Sequence, residues 1–373
     1  MLHIVRSLAL DPKRFILPVL GIALAHAAVG LVLYYSLRAG VTLSNPFMAA
    51  HPFSWIYMFS GWDSSYYLEI AGNWYPPKLD PLWAFSPLYP ATVRTLVFLG
   101  VDLRIGGFAV AVICGLASIM VFQKVAELYM ARTQALIAAS LYFLFPPVFV
   151  FSFVTYPEPM FILLALLSWY FHQKRSDRNA SVAAGLCALS RPEGFLIIIP
   201  LLYEYAIRRQ FRKVGYALVP LFAIAGWELY GYTQTGVWLP SLAAGHFWHT
   251  PKVHAVRQAI QQLVTGNFNS VDVLLPYWWL ILTIIAILAI VLFLVWRDWK
   301  IDRALSIYLL ASVMILGWSL SALYRSFPRV LSFIFPVGLP LHSRKLNLLV
   351  ALAIIFLALD YIAWLAFLTD GFY

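Results

Sequence analysis

Only 11% of the 373 residues are charged, two are cysteines, and the short signatures of nucleotide chemistry are missing. There is no G-x-x-x-x-G-K-[ST] phosphate loop, no glycine fingerprint of a dinucleotide fold and no H-E-x-x-H. Their absence removes support for a P-loop enzyme, a soluble nucleotide-sugar domain or a membrane zinc protease. Cys114 and Cys187 both lie in apolar stretches, outside any C-x-x-C or Cys/His cluster. Neither a disulfide framework nor a thiolate metal site is expected, and the compartment cannot be read from them. Low-complexity stretches and internal repeats are also lacking.

What the chain has is apolar surface. Hydrophobic residues make up 62% of it, well above the share in a soluble domain, and the class this implies is an all-α polytopic membrane protein. A net charge of +10 would suit nucleic acid in a soluble protein. Here Lys and Arg fall in short clusters between apolar stretches, the arrangement that orients helices in a bilayer, so membrane lipids and no nucleic acid are the expected partners.

A span takes about 20 apolar residues, and about eleven can be placed, near 15–37, 105–126, 134–154, 157–172, 180–191, 192–207, 214–234, 276–296, 304–321, 328–341 and 347–368. The first run contains "AHAA" but is too long for a signal-peptide core, so a retained helix is expected. The two short segments around "LSRPEGF" read as half-length pieces meeting at a turn, a geometry tolerated where backbone lines a cavity or is buried in protein. With the N-terminus in the cytoplasm, most Lys and Arg fall on the cytoplasmic side, including Lys13, Arg14, Lys174, Arg175, Arg208, Arg209, Arg212 and Lys213. That orientation requires "LWAFSPLYPATVRTLVFLG" to lie on the outer surface without crossing. Residues 1–373 then form one integral membrane domain, with a first outer loop at 38–104 and a second at 235–275. A loop as long as the first is usually functional. "PYWWL" at 276–280 reads as an interfacial belt.

The first outer loop contains "GWDSSYYLEIAGNWY", in which Asp63 stands where a helix begins. One reading is an N-cap, with the carboxylate accepting free backbone N–H groups and the tyrosines anchoring the helix at the headgroups. The other is a general base kept ionised by the helix N-terminus, with Trp62, Trp74 and Tyr75 as stacking surfaces for a sugar. The two roles are compatible.

The longer stretch "WDSSYYLEIAGNWYPPKLDPLWAFSPLYP" (62–90) resembles the opening signature of the PIG-V family of GPI mannosyltransferases. Trp62, Asp63, Tyr67, Ile70, Ala71, Tyr75, Ala84, Phe85, Pro87, Leu88 and Pro90 fit it in order and spacing. Asp80 stands where the family has Glu, which keeps the charge, and Ser86 where Phe is common. "TYPEPMF" (155–161) is similar to the family's Tyr-x-Glu-x-x-Phe, "LSRPEGFLIIIP" (189–200) to its Arg-centred turn, and "SFPRVLSFIFP" (326–336) to its late arginine region. The resemblance implies a GT-C bundle with its active site on the non-cytoplasmic face and a polyprenyl-phosphate sugar as donor.

Inverting transfer from such a donor needs a base for the acceptor hydroxyl and cations for the departing phosphate. Asp63 is the family-matched carboxylate at a helix start and is the candidate base; Asp80 could assist or orient it. Trp62 and Tyr67 are candidate substrate contacts. Glu158 is read either as a ligand of sugar hydroxyls or basic groups, or as an interfacial loop carboxylate. Arg191, Arg325 and Arg329 are the outer-side phosphate candidates because a guanidinium fork grips phosphate oxygens, with headgroup anchoring as the plain alternative. His246 and His249, with His254, are read as hydrogen-bonding donors to phosphate or sugar. A donor with one phosphate already on a lipid does not demand a metal, so no cofactor is expected. Glu228 sits inside an apolar span and calls for a partner, an arginine being the natural one.

The expected activity is transfer of a hexose, mannose by the resemblance, to a glycolipid or other outer-side acceptor. The short chain points to a prokaryotic relative in a bacterial or archaeal plasma membrane. A transporter or flippase for a charged lipid is the competing class, since discontinuous helices suit it; it calls for ionisable groups at midplane, whereas here they concentrate in outer loops and at helix ends.

Overall fold

Hydropathy of the runs between the charged clusters, with prolines at their starts, predicts a succession of helices, and a computed structural model of the chain bears this out. It describes residues 59–61, 63–248, 302–318 and 353–358, together with Gly21, Leu24, Ala28 and Val32. Among the described residues the regular structure is helical, without strands. The helices are α1 (Ser64–Asn73), α2 (Leu88–Phe98), α3 (Leu103–Ala126), α4 (Arg132–Phe143), α5 (Pro146–Phe151), α6 (Glu158–Gln173), α7 (Asp177–Ser190), α8 (Ile198–Ile207), α9 (Val214–Ala217), α10 (Val219–Thr235), α11 (Pro240–Gly245) and α12 (Arg303–Trp318). Among the described residues two stretches, Leu103–Ala126 and Phe211–Thr235, are long and apolar enough to cross a membrane. Helix α2 has 11 residues, about 16 Å of rise, and falls well short of a bilayer core of about 30 Å. The runs at 276–296 and 328–341, and most of 15–37 and 347–368, lie outside the described residues.

Two expected spans take a different local form. The run at 134–154 is split into α4 and α5, because Pro146 and Pro147 occupy the first turn of a new helix; a proline ring cannot continue the preceding helix past its own position. The half-length pair is observed as α7, an extended Arg191 (φ −152°, ψ 143°), a 3-10 turn at Pro192–Ile197, and α8. Gly194 makes this turn possible. A Cβ there would overlap the backbone of Cys187 and Ala188, so only glycine lets the turn lie this close to the end of α7.

The core has two parts. In the larger, α3, α4, α6, α7, α8 and α12 bury residues such as Phe122, Tyr142, Trp169, Leu201 and Tyr308, and the Phe122 and Tyr142 rings stack with centroids 4.1 Å apart. Helix α7 buries Ala180, Ala183, Ala184, Gly185 and Ala188; small residues of this kind let neighbouring helix backbones approach closely in a membrane bundle. The Ser168 hydroxyl on α6 donates to the Ala180 carbonyl at 2.9 Å. In the smaller part, α1, α2 and the turn between them pack on α3 and α10 through Tyr67, Trp83, Tyr89, Tyr156 and Trp227.

Candidate active site

Asp63 is the residue before α1, and its carbonyl accepts the first N–H bonds of the helix, from Tyr66 at 3.1 Å and Tyr67 at 3.2 Å. Its carboxylate makes no cap hydrogen bond, so by backbone position it is an N-cap while its side chain is not engaged in capping. The loop that carries it is joined to the one preceding α6. The Thr155 N–H donates to the Phe59 carbonyl at 2.8 Å, and the Asp63 N–H donates to the Tyr156 hydroxyl at 2.9 Å. Close approach of these loops to α3 is permitted by Gly107, where a Cβ would stand 2.5 Å from the Thr155 methyl. Partial burial, with the charges of Asp63 and Glu69 added to it, pushes the Tyr66 phenol above its usual range.

The rest of the segment from α1 to α2 forms an aromatic floor. Tyr67 is buried and meets the edges of Phe85, Tyr89 and Tyr156 at 5.1, 5.6 and 5.9 Å. It therefore shapes the floor from below. Asp80 accepts the Leu82 N–H at 3.0 Å and caps the 3-10 turn Pro81–Ala84. The Trp83 indole N–H reaches the Pro76 and Lys78 carbonyls, both at 3.1 Å. Trp74 occupies the left-handed region (φ 66°), a strained conformation for a bulky residue; its indole N–H donates to the Tyr230 hydroxyl of α10 at 2.9 Å. Arg94 of α2 donates to the Ala71 and Gly72 carbonyls at 2.9 and 2.7 Å, placing a cation on the carbonyl end of α1, where the helix dipole favours it.

Glu158 opens α6 fully buried and forms an ion pair with Arg191. Arg191 also meets Glu193, with Nε and Nη2 each 3.2 Å from a carboxylate oxygen. The arginine of the broken helix is thus held by two carboxylates, Glu193 from the turn itself and Glu158 from α6. A buried ion pair of this kind fixes geometry more surely than it adds stability. After α10, α11 packs on the Pro81–Ala84 turn, and His246 follows in the short 3-10 turn His246–Trp248. The Glu228 carboxylate accepts the Ser241 N–H at 3.3 Å, so its partner is a backbone amide of α11 in place of the arginine expected for it.

Trp62, His249, Arg325 and Arg329 lie outside the described residues. The structure brings Asp63 next to the Tyr156 loop, and Glu158 to Arg191. Sequence reasoning did not single out Tyr156 or Glu193, although both stand in motifs already quoted, "TYPEPMF" and "LSRPEGF". The arrangement offers an ionisable carboxylate at a helix head, a buried acidic and basic network nearby in the chain, and an aromatic wall. Residues 32–198 match the model of the family Mannosyltransferase (PIG-V). The match supports the PIG-V family. It runs through Asp63, Asp80, Tyr156, Glu158, Arg191 and Glu193. The match supports a glycosyltransferase and suggests a membrane mannosyltransferase, consistent with the two membrane-capable helices among the described residues. Neither the curated proteins nor the solved structures give a significant match.

Proposed function

We propose that the chain transfers a mannosyl group from a polyprenyl-phosphate donor to a glycolipid or glycan acceptor at the outer face of the membrane, with inversion at the anomeric carbon. The acceptor hydroxyl oxygen attacks that carbon from the side opposite the phosphate. Its C–O bond forms as the bond to the phosphate oxygen breaks, the electron pair leaves with polyprenyl phosphate, and the hydroxyl proton passes to the Asp63 carboxylate. What carries the reading is the position of Asp63, which heads α1 within the family-matched region. The head of a helix is a site whose dipole favours a negative charge, and a carboxylate there suits the part of a general base. The Glu158–Arg191–Glu193 network fits a role in setting the shape of the sugar site, since both carboxylates already occupy the Arg191 fork. Phosphate contact then falls to other cations, Arg325 and Arg329 among the sequence candidates.

The test is transfer from radiolabelled polyprenyl-phosphate mannose by purified protein in a membrane lipid extract, comparing the unaltered chain with Asp63→Asn. Removing a general base should lower transfer by at least about a hundredfold. Equal transfer by both proteins would remove Asp63 from the role, and no transfer by either would remove the donor.

A further inference from the structure

At the end of the bundle away from Glu158 and Arg191, helices α6 and α8 terminate in the same way. Ser176 N–H donates to the Phe171 carbonyl at 2.9 Å and Arg175 N–H to the His172 carbonyl at 3.0 Å; Gln210 N–H donates to Tyr205 at 2.8 Å and Arg209 N–H to Ala206 at 3.0 Å. Each is the paired hydrogen-bond pattern of a Schellman C-cap, whose key residue adopts left-handed backbone and is usually glycine. Here both key residues are arginines, Arg175 at φ 62° and Arg209 at φ 53°. Glycine would take this conformation without strain. At each helix end a strained cation stands where the backbone favours a residue with no side chain.

The two loops are also fastened together. Lys213 Nζ lies 2.6 Å from the Asp177 carboxylate, and the Tyr205 hydroxyl donates to the same carboxylate at 2.8 Å. Lys213 and Arg208 are thereby internally paired, Arg208 with Glu204. Lys174, Arg175, Arg178, Arg209 and Arg212 remain exposed on the joined surface.

We propose that these five cations form a docking surface for the phosphate headgroups of anionic phospholipids in the leaflet beside which the loops lie. The proposal rests on the membrane reading of the chain and is independent of the transfer reaction. Arginine forks grip phosphate oxygens in two places at once, and basic segments at the end of membrane helices draw anionic lipid from the leaflet. The left-handed caps turn the two arginines out from helix ends that would otherwise be closed by glycine, which is why the strain is retained.

The test is a competition for lipid. The full chain in neutral detergent is equilibrated with equal amounts of phosphatidylglycerol and phosphatidylcholine, and the lipids it carries are read by native mass spectrometry. The unaltered chain should be enriched in phosphatidylglycerol. The double variant Arg175→Gly, Arg209→Gly should lose up to about 30-fold of that preference, the combined effect of two surface cations, and Arg175→Lys, Arg209→Lys should keep most of it. Thermal unfolding with phosphatidylcholine alone supplies the control: the glycine variant should melt no lower than the unaltered chain, since its backbone is relieved. An unaltered chain without preference, or a glycine variant that keeps the preference, overturns the proposal. A glycine variant that melts earlier in phosphatidylcholine assigns the arginines to the helix ends and also overturns it. So does an RNA oligomer that displaces phosphatidylglycerol at lower concentration than it binds, which would make this a nucleic-acid surface.

Discussion

The Tyr156 hydroxyl accepts the backbone N–H of Asp63 at 2.9 Å, across 93 positions of sequence. Through this bond the loop ahead of α6 sets where the head of α1 stands. Tyr156→Phe keeps the ring between Phe151 and Tyr67 and removes the acceptor. It should lower stability by about 0.5–1.5 kcal/mol, the net value of one hydrogen bond. If Asp63 is the base, the same change should reduce kcat while leaving KM near its original value, and by less than Asp63→Asn does. A Phe variant with unchanged kcat would leave Tyr156 a packing residue only.

The Glu158–Arg191–Glu193 network predicts an ordered series. Arg191→Leu leaves the Glu158 carboxylate, fully buried, without its cation, and such a loss costs about 3–5 kcal/mol. Glu193, whose side chain is 25% exposed, can be rehydrated, so Glu193→Gln should cost no more than about 1 kcal/mol. Denaturation in mixed micelles would rank the two, and a reversed order would mean that Glu193 is the principal partner of Arg191.

Gly194 gives a steric prediction. Gly194→Ala places a methyl group against the backbone of Cys187, and overpacking of a tight contact costs about 1–3 kcal/mol. Proteolysis of the variant should begin at the turn following α7. An alanine variant as stable and as protease-resistant as the unaltered chain would show that the turn can widen without penalty.

A pH effect follows from Asp177, the first residue of α7. Burial raises its pKa, but hydrogen bonds from Lys213 and Tyr205 and the Lys213 charge outweigh that, and the carboxyl is held below its ordinary range. Since the folded value lies below the unfolded one, the contribution is complete above the unfolded pKa of about 3.9 and is lost as pH falls through the folded value. The protein should therefore lose thermal stability on acidification below about pH 4, with part of that slope absent in Asp177→Asn. An unchanged slope in the variant would place the acid-sensitive group elsewhere.

Much of the fold was legible because hydropathy is a local property. The runs read at 105–126 and 157–172 are α3 at Leu103–Ala126 and α6 at Glu158–Gln173, and the turn expected in "LSRPEGF" is present at Arg191. The broken run at 134–154 was missed because its apolar composition is continuous while Pro146 and Pro147 interrupt its backbone. The site was legible in its residue types and not in its pairings. Nothing local to "WDSSYY" indicates that Tyr156 holds it, nor that Arg191 pairs with a carboxylate 33 residues earlier. Glu228 shows the same limit: an intramembrane carboxylate calls for a partner, but the sequence cannot say that a backbone amide supplies it.

The aromatic floor of the site has a bearing on how the chain can be divided. The family match ends at residue 198, yet Tyr75 and Trp83 rest against Trp227 with ring centroids 4.8 and 5.4 Å apart, and Trp74 is tethered to Tyr230. A fragment cut at the end of the matched region would keep Asp63, Glu158 and Arg191 but strip the support from beneath the loop that Asp80 caps. Such a fragment would present naked indole rings and aggregate. Deletion mapping that stopped there would record a loss of activity with no bearing on which side chains perform the chemistry.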